Sequence, residues 1–302
     1  MQLIDVHHHA DLDVVKAKRA ELGMVMPPFV PEWNPAIGIE RMDMIGTTLS
    51  VLSMPAGTTF APPSAAPQLA RAINEEYAEL IRKYPTRYGA FATLPMPCVS
   101  SSTDEAIHAL DVLNLDGVCM QSSYDGVYLA DRRYDGLLAA LNSRDAVVFI
   151  HPILIRERIA DLPPALLEGT FDTTRAATRL AAADVFARYP RIRFILPHTG
   201  GMVPYIKWRI AMYALQGDDW RVEAGPDAFA AEIAKLDGIY YDTTLNLGPV
   251  EKLVDPARIL FGTDIPWAND AVLRMQREAV RDPAIAAGNA LRLFPRIADV
   301  LR

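Results

Sequence analysis

Cysteine is scarce in this chain: 302 residues contain two, Cys98 and Cys119. Two thiols far apart, with no Cys-x-x-Cys pair, provide neither a disulfide framework nor a thiolate metal site. A reducing compartment fits them, and the cytoplasm is the expected location. Long apolar runs are absent too. No stretch approaches the roughly 18 apolar residues of a membrane span. The opening MQLIDVHHHA lacks the basic start and apolar core of a signal peptide. Basic charge is in deficit, with 30 Lys and Arg against 37 Asp and Glu, for a formal net charge of −7. That excludes nucleic acid as the main partner, because phosphate backbones are met by basic patches. A small anionic substrate needs only one or two local cations and stays open. Low-complexity tails and dividing linkers are missing as well, so 1–302 is expected to form one domain.

What the chain does have is a repeating alternation. Short apolar runs rich in β-branched residues occur at 2–6, 48–53, 88–94, 117–121, 146–150, 192–196, 238–243 and 258–262. Such runs suit strands buried on both faces, as in parallel sheets. Between them lie helical patterns. In 66–85, Leu69, Ile73, Tyr77 and Leu80 recur at helical spacing, and helices are also expected over 102–114, 175–190 and 226–236. Strands alternating with helices predict an α/β protein, specifically a (β/α)8 TIM barrel, a fold that runs to about 250 residues as a single domain. The rival, an open doubly wound sheet, announces itself with a glycine-rich phosphate loop after the first strand. Here histidines follow that strand. An insertion containing Pro27, Pro28, Pro31 and Pro35 comes next and reads as a covering loop.

In a parallel barrel the chemistry sits at the carboxyl ends of the strands. Of six histidines, five stand there: His7, His8 and His9 after the first strand, His151 in VVFIHP, and His198 in FILPHTGG. Asp264 follows the last strand, in ILFGTDIPW. The sixth, His108, falls on a helix and is expected to be a packed or surface residue. Alternation along a strand turns His7 and His9 one way and His8 the other. By the same rule Asp5 shares the face of His7, one layer deeper. His7, His9, His151 and Asp264 can supply three or four ligands to a divalent ion, and His198 an acid/base.

The set IDVHHHA, FIHP, LPHTGG and FGTDIPW resembles the amidohydrolase superfamily. Within it, the set resembles the branch holding aminocarboxymuconate semialdehyde, γ-resorcylate and 6-methylsalicylate decarboxylases. The resemblance implies an amidohydrolase-type barrel whose single metal is bound by His7, His9, His151 and Asp264, with His198 and Asp264 catalytic. Binuclear members carry a lysine after strand four. VCMQSSYDG has none, which favours one ion. The His-x-His pair is similar to that of zinc-using members, with manganese the alternative. Arg209, eleven residues after His198, matches an arginine that holds a substrate carboxylate in relatives, in some across a subunit boundary. A plain helix-surface salt bridge is its other reading. The resemblance implies a homodimer or a dimer of dimers.

One departure bears on the substrate. The first long loop, GMVMPPFVPEWNP, lacks the substrate-gripping arginine of the muconate enzyme, which favours a less charged, more apolar acid. Met24, Met26, Phe29 and Trp33 are either lid residues over an aromatic ring or a hydrophobic anchor packed on the barrel rim. Tyr124, Arg175 and Trp267 are further candidate contacts, and Asp172 is either a pocket residue or a helix cap. The activity implied is nonoxidative decarboxylation of an ortho-hydroxy aromatic, salicylate-like acid or a related unsaturated acid. The alternative is a lactonase or amidohydrolase using metal-activated water, which the same ligands would serve.

Overall fold

The computed structural model describes residues 1–153, 162–216, 226–246, 248 and 250–302. Strands β1 (Ile4–His9), β2 (Leu49–Ser53), β3 (Tyr88–Thr93) and β4 (Gly117–Gln121) lead to a small antiparallel hairpin, β5 (Ser123–Tyr124) and β6 (Val127–Tyr128). Then come β7 (Val147–His151), β8 (Arg193–Leu196), β9 (Tyr240–Asp242) and β10 (Ile259–Leu260). The main sheet runs β1-β2-β3-β4-β7-β8-β9-β10, with every pairing parallel. The chain just past β10 returns to β1. Val6 N donates to Phe261 O at 2.9 Å, Asp264 N to His7 O at 2.9 Å, and His9 N to Ile265 O at 2.6 Å. These bonds close the eight described strands into the expected barrel.

Helices pack around it: α1 (Asp13–Glu21), α2 (Pro35–Ile45), α3 (Ala66–Lys83), α4 (Val99–Asp111), α5 (Asp135–Asn142), α6 (Glu168–Ala182), α7 (Val185–Arg188), α8 (Val203–Gln216), α9 (Pro226–Asp237) and α10 (Asp270–Ala279), with α11 (Asn289–Leu293) and α12 (Pro295–Val300) last. Among the described residues no helix is long and apolar enough to cross a membrane. The stripe Leu69, Ile73, Tyr77 and Leu80 of α3 is buried, as its spacing predicts. Two expected helices begin elsewhere. α4 starts at Val99 rather than 102, so Ser102 lies buried in its first turns instead of capping it. The helix expected over 175–190 begins at Glu168 and breaks at Asp184, whose left-handed φ of 58° separates α6 from α7. The insertion after β1 is two helices with an irregular stretch between them. Asn34 accepts from Ala36 N and Ile37 N, and Pro35 occupies the first turn, so α2 starts sharply.

Two apolar layers result. Ile4, Val6, Leu49, Val51, Phe91, Cys119, Phe149, Ile195 and Leu260 fill the barrel, with Phe294 and Ile297 from the C-terminal segment joining them. Leu3, Leu52, Tyr88, Ala90, Val118, Met120, Val148 and Ile150 pack outward against the helices. Along β1 the alternation slips once. Asp5 faces Ser50 across the β1–β2 ladder, but His8 faces Leu52, so β1 carries one extra residue between them. Val6 belongs to the interior layer, and the His7 ring lies 5.0 Å from that of Phe149 in the same layer. Consecutive residues thus both turn inward.

The bulge corrects one expectation. Asp5 does not share the face of His7; it lies on the outer side, beside Ser50. Its carboxylate accepts from His7 N (2.9 Å), Ser50 Oγ (3.2 Å), Thr263 N (3.1 Å) and Thr263 Oγ1 (2.7 Å). The first of these satisfies a backbone donor at the bulge, and the others tie β1 to β2 and to the segment bearing Asp264.

Candidate active site

Six polar side chains converge where the strands end: His7 and His9 of β1, His151 closing β7, His198 just past β8, Asp242 closing β9, and Asp264 beyond β10. His7 Nε2 and His9 Nε2 are 3.0 Å apart. Asp264 Oδ1 lies 3.0 Å from His9 Nε2 and 3.6 Å from His7 Nε2. The His151 ring centroid is 5.4 Å from that of His7 and 5.0 Å from that of His9. That of His198 is 5.2 Å from His7 and 5.9 Å from His151. Donor atoms of His7, His9 and Asp264 fall within 4.8 Å of one another, and so do those of His7, His151 and His198.

The backs of three rings are anchored. His7 Nδ1 lies 2.8 Å from Asp242 Oδ2, His9 Nδ1 3.2 Å from Ser53 Oγ, and His151 Nδ1 2.9 Å from Pro152 O. Anchoring Nδ1 leaves Nε2 for the centre of the cluster. Burial pushes His7 and His151 well below the ordinary histidine range, and the neighbouring imidazoles push them further, so both are neutral lone-pair donors. Burial alone would raise Asp264. The hydrogen bond from His9 leads the effects that outweigh it and hold Asp264 below the usual carboxylate range. Two imidazole nitrogens 3.0 Å apart, with a carboxylate oxygen 3.0 Å from one of them, bring three potential ligand atoms to one point that a shared cation would satisfy. A donor set of imidazole nitrogens and one carboxylate oxygen fits a divalent transition ion or zinc.

Backbone strain marks the same spot. His198 and Thr199 have φ of 53° and 54°, Gly200 and Gly201 follow at 74° and 62°, and Asp264 sits at 66°. At Gly201 the requirement for glycine is steric as well, because a Cβ there would run into Thr170 O. His198 Nδ1 is buried with no hydrogen-bond partner among the described residues.

The remaining expected contacts are dispersed. Trp33 is a correction: it is 1% exposed and lies behind β1, not over the cluster. Its Nε1 donates to His8 Nε2 at 2.9 Å, and His8 itself lies edge-on to Tyr88. A large amphipathic ring settles where its N–H finds a buried acceptor, and outward-turned His8 supplies one. Tyr124 is buried, its hydroxyl accepting from Gln121 N at 2.9 Å. Asp172 neither caps a helix nor stands at the cluster. Buried within α6, it accepts from Ser122 Oγ, from Tyr128 Oη (2.7 Å) and from Ile153 N (3.0 Å).

Arg175 is half-exposed, 3.4 Å from Tyr128 Oη. Trp267 is half-exposed too, its segment held by Arg41, which donates to Pro266 O and Ala268 O. Arg209 is exposed on α8, with no hydrogen bond or ion pair among the described residues. Met24, Met26 and Phe29 stand exposed on the loop between α1 and α2 rather than packed on the rim.

Two residues beside the cluster carry no expectation from the sequence: Asp242 and Ser53. Both close strands, so the rule that singles out His151 would have found them. A lone aspartate after IYY and a serine after VL are simply less conspicuous than a histidine.

Fold and site together define a closed (β/α)8 barrel with a histidine–carboxylate centre of metal-binding type at its C-terminal mouth. The amidohydrolase family profile matches residues 4–296, and the chain belongs to that family. It is 32% identical to decarboxylase yanB of Aspergillus niger, over 98% of this chain and 88% of that one. It is 30% identical to the 6-methylsalicylic acid decarboxylase acuB of Aspergillus aculeatus, over 97% and 96%. Among solved structures, a dihydroxybenzoic acid decarboxylase from Polaromonas sp. JS666, with bound manganese and the inhibitor 2-nitroresorcinol, superposes with a TM-score of 0.77. The identity is 21%, with 97% of each chain covered.

Proposed function

We propose that this protein is a metal-dependent carboxy-lyase that removes carbon dioxide, without oxidation, from an ortho-hydroxy aromatic acid of the salicylate class. The observation that carries the reading is the buried cluster of imidazoles beside one ionised carboxylate at the barrel mouth. Relatives named as decarboxylases, matched over nearly the whole chain, support the choice of chemistry. His7, His9, His151 and Asp264 would hold a single divalent ion. Their nitrogen-rich set favours zinc; the bound manganese of the Polaromonas neighbour makes manganese the other candidate. Such an ion, when bound, supplies Lewis-acid polarisation and a template for a phenol oxygen and a carboxylate oxygen.

The chain's own part is proton handling. Direct loss of carbon dioxide would leave an unstabilised aryl carbanion, so the ring carbon bearing the carboxylate is protonated first. Asp264, held as a carboxylate, cannot bring that proton itself. It takes one from the substrate phenol and passes it to the ring carbon. The carbon–carbon bond then breaks, its electron pair restores the aromatic ring, carbon dioxide departs, and the phenolate takes a proton from water. His198 orients the substrate oxygen, and Arg209 binds the carboxylate on arrival. The exposed Met24, Met26 and Phe29 close over the ring and exclude water.

The enzyme is assigned to a homodimer or a pair of dimers in the cytoplasm; two unpaired cysteines are compatible with that compartment. Metal-loaded protein incubated with a panel of ortho-hydroxybenzoates should release carbon dioxide. Silence across the panel with turnover of lactones instead would make it a hydrolase. Metal analysis should find about one equivalent per chain, falling sharply in His7→Ala and Asp264→Ala, and identifies the metal. Two equivalents would overturn the single-ion reading.

A further inference from the structure

Asp242 is wholly buried at the end of β9, and both of its oxygens are engaged. Oδ2 lies 2.8 Å from His7 Nδ1. Oδ1 accepts from the backbone N–H of His198 at 2.8 Å and from that of Thr244 at 3.0 Å. One carboxylate therefore touches a side chain of the metal-type cluster and the backbone of the neighbouring histidine. We propose that Asp242 is a positioning residue that fixes the ring tautomer of His7 and seats the turn carrying His198. This rests on the metal reading given above and adds to it a residue outside the ligand set.

The argument is one of donor and acceptor counting. An ionised carboxylate only accepts, so the His7 nitrogen facing it must be the protonated one. That commits Nδ1 as donor and leaves the Nε2 lone pair pointing at His9 Nε2 and Asp264. His9 lacks this constraint, because its Nδ1 meets the Ser53 hydroxyl, which can donate or accept. At the other oxygen, Asp242 receives the N–H of a residue with a left-handed φ of 53°, a conformation that persists only when its surroundings hold it. The two tasks are inseparable, since a shift of the carboxylate toward either partner withdraws it from the other.

Asparagine separates them, because it offers one acceptor and one donor in the same shape. With its oxygen on the two backbone N–H groups, its NH2 faces His7 Nδ1 and forces the proton to Nε2, the nitrogen that would bind metal. Turned over, it serves His7 but sets an NH2 against two backbone donors and releases the His198 turn. In Asp242→Asn, affinity for zinc or manganese, measured by competition with a chromophoric chelator, should therefore weaken by about 10- to 100-fold. The same substitution placed on His7→Ala should change affinity little, because the nitrogen it acts on is gone. Unchanged affinity in the single variant, or an equal loss in both backgrounds, overturns the proposal.

A second measurement does not depend on the variant folding. Nitrogen-15 chemical shifts of the histidine rings in metal-free wild-type protein should show His7 protonated at Nδ1. Protonation at Nε2 overturns the proposal whatever the variant does. Neither readout requires turnover, so protein that binds metal yet releases no carbon dioxide would sink the decarboxylase reading alone. Wild-type protein that binds no metal would sink the metal reading and leave the nitrogen spectrum to decide the role of Asp242.

Discussion

His7 and His8 are neighbours in sequence with opposite surroundings. His7 enters a polar cluster; His8 is sealed outside the barrel with the Trp33 indole as donor. Burial first, then His9 and Arg41, push His8 down to about 3. The folded state thus keeps His8 neutral where the unfolded chain, with an ordinary histidine, binds a proton below about 6.5. Stability contributed by neutral His8 is complete above that value and is lost as pH falls from 6.5 toward 3, by at most about 1.4 kcal/mol per pH unit. Asp5 runs the other way. Burial raises it to about 7, so the fold holds its proton and loses stability as pH climbs from near 4 to 7. The two trends oppose each other in the wild type. His8→Gln removes one of them. Urea unfolding of metal-free protein between pH 6.5 and 4.5 should show a weaker loss on acidification in the variant, and parallel curves would mean that His8 is charged in the fold.

At the scale of elements, the eight barrel strands were legible because each is a short apolar run between helical patterns, whereas the β5–β6 hairpin has no such run. What could not be read was the extra residue in β1. Alternation is a sound rule for a regular strand, but a bulge needs a partner strand to be defined, and nothing in IDVHHH marks it. The rule separates His7 from His8 correctly and misplaces Asp5. The break at Asp184 is equally silent, since apolar spacing continues across it. Asp172 shows the same limit from another direction. Its neighbours in sequence suggest a cap or a pocket residue, whereas its actual partners come from the β4–β5 corner, from β6 and from Ile153, two residues past His151. Three donors converging on one buried carboxylate make it the clamp of that corner. Asp172→Ala strands those donors and should destabilise by about 2–4 kcal/mol. Arg175→Ala, on the exposed turn beside it, should stay within about 0.5 kcal/mol. Equal urea midpoints for the two variants would remove the clamp role.

For the whole molecule, the barrel was legible from the order of its elements, because alternating strands and helices admit few closed arrangements. Its surface was not. Exposure of an apolar helix face depends on what fails to cover it, which no spacing rule reports. On α8, Tyr205, Trp208, Met212 and Tyr213 are 78%, 57%, 54% and 72% exposed, and Arg209 lies among them. Among the described residues, the one ring contact of Trp208 is a tilted one with Phe229. An exposed apolar stripe of this kind marks an interaction surface. A second copy is the occupant that the proposed dimer requires, and it would bring Arg209 to a subunit boundary. Tyr205→Glu places a charge in the most exposed part of the stripe, where the lone chain tolerates it. Light scattering should then report a smaller assembly, with the midpoint of unfolding by urea at high dilution unchanged. If Arg209 acts across the boundary, KM for the aromatic acid rises in the same variant while metal content per chain stays constant. An assembly of unaltered mass places the interface on another face. A smaller assembly with unaltered KM keeps the interface on α8 and confines Arg209 to its own subunit.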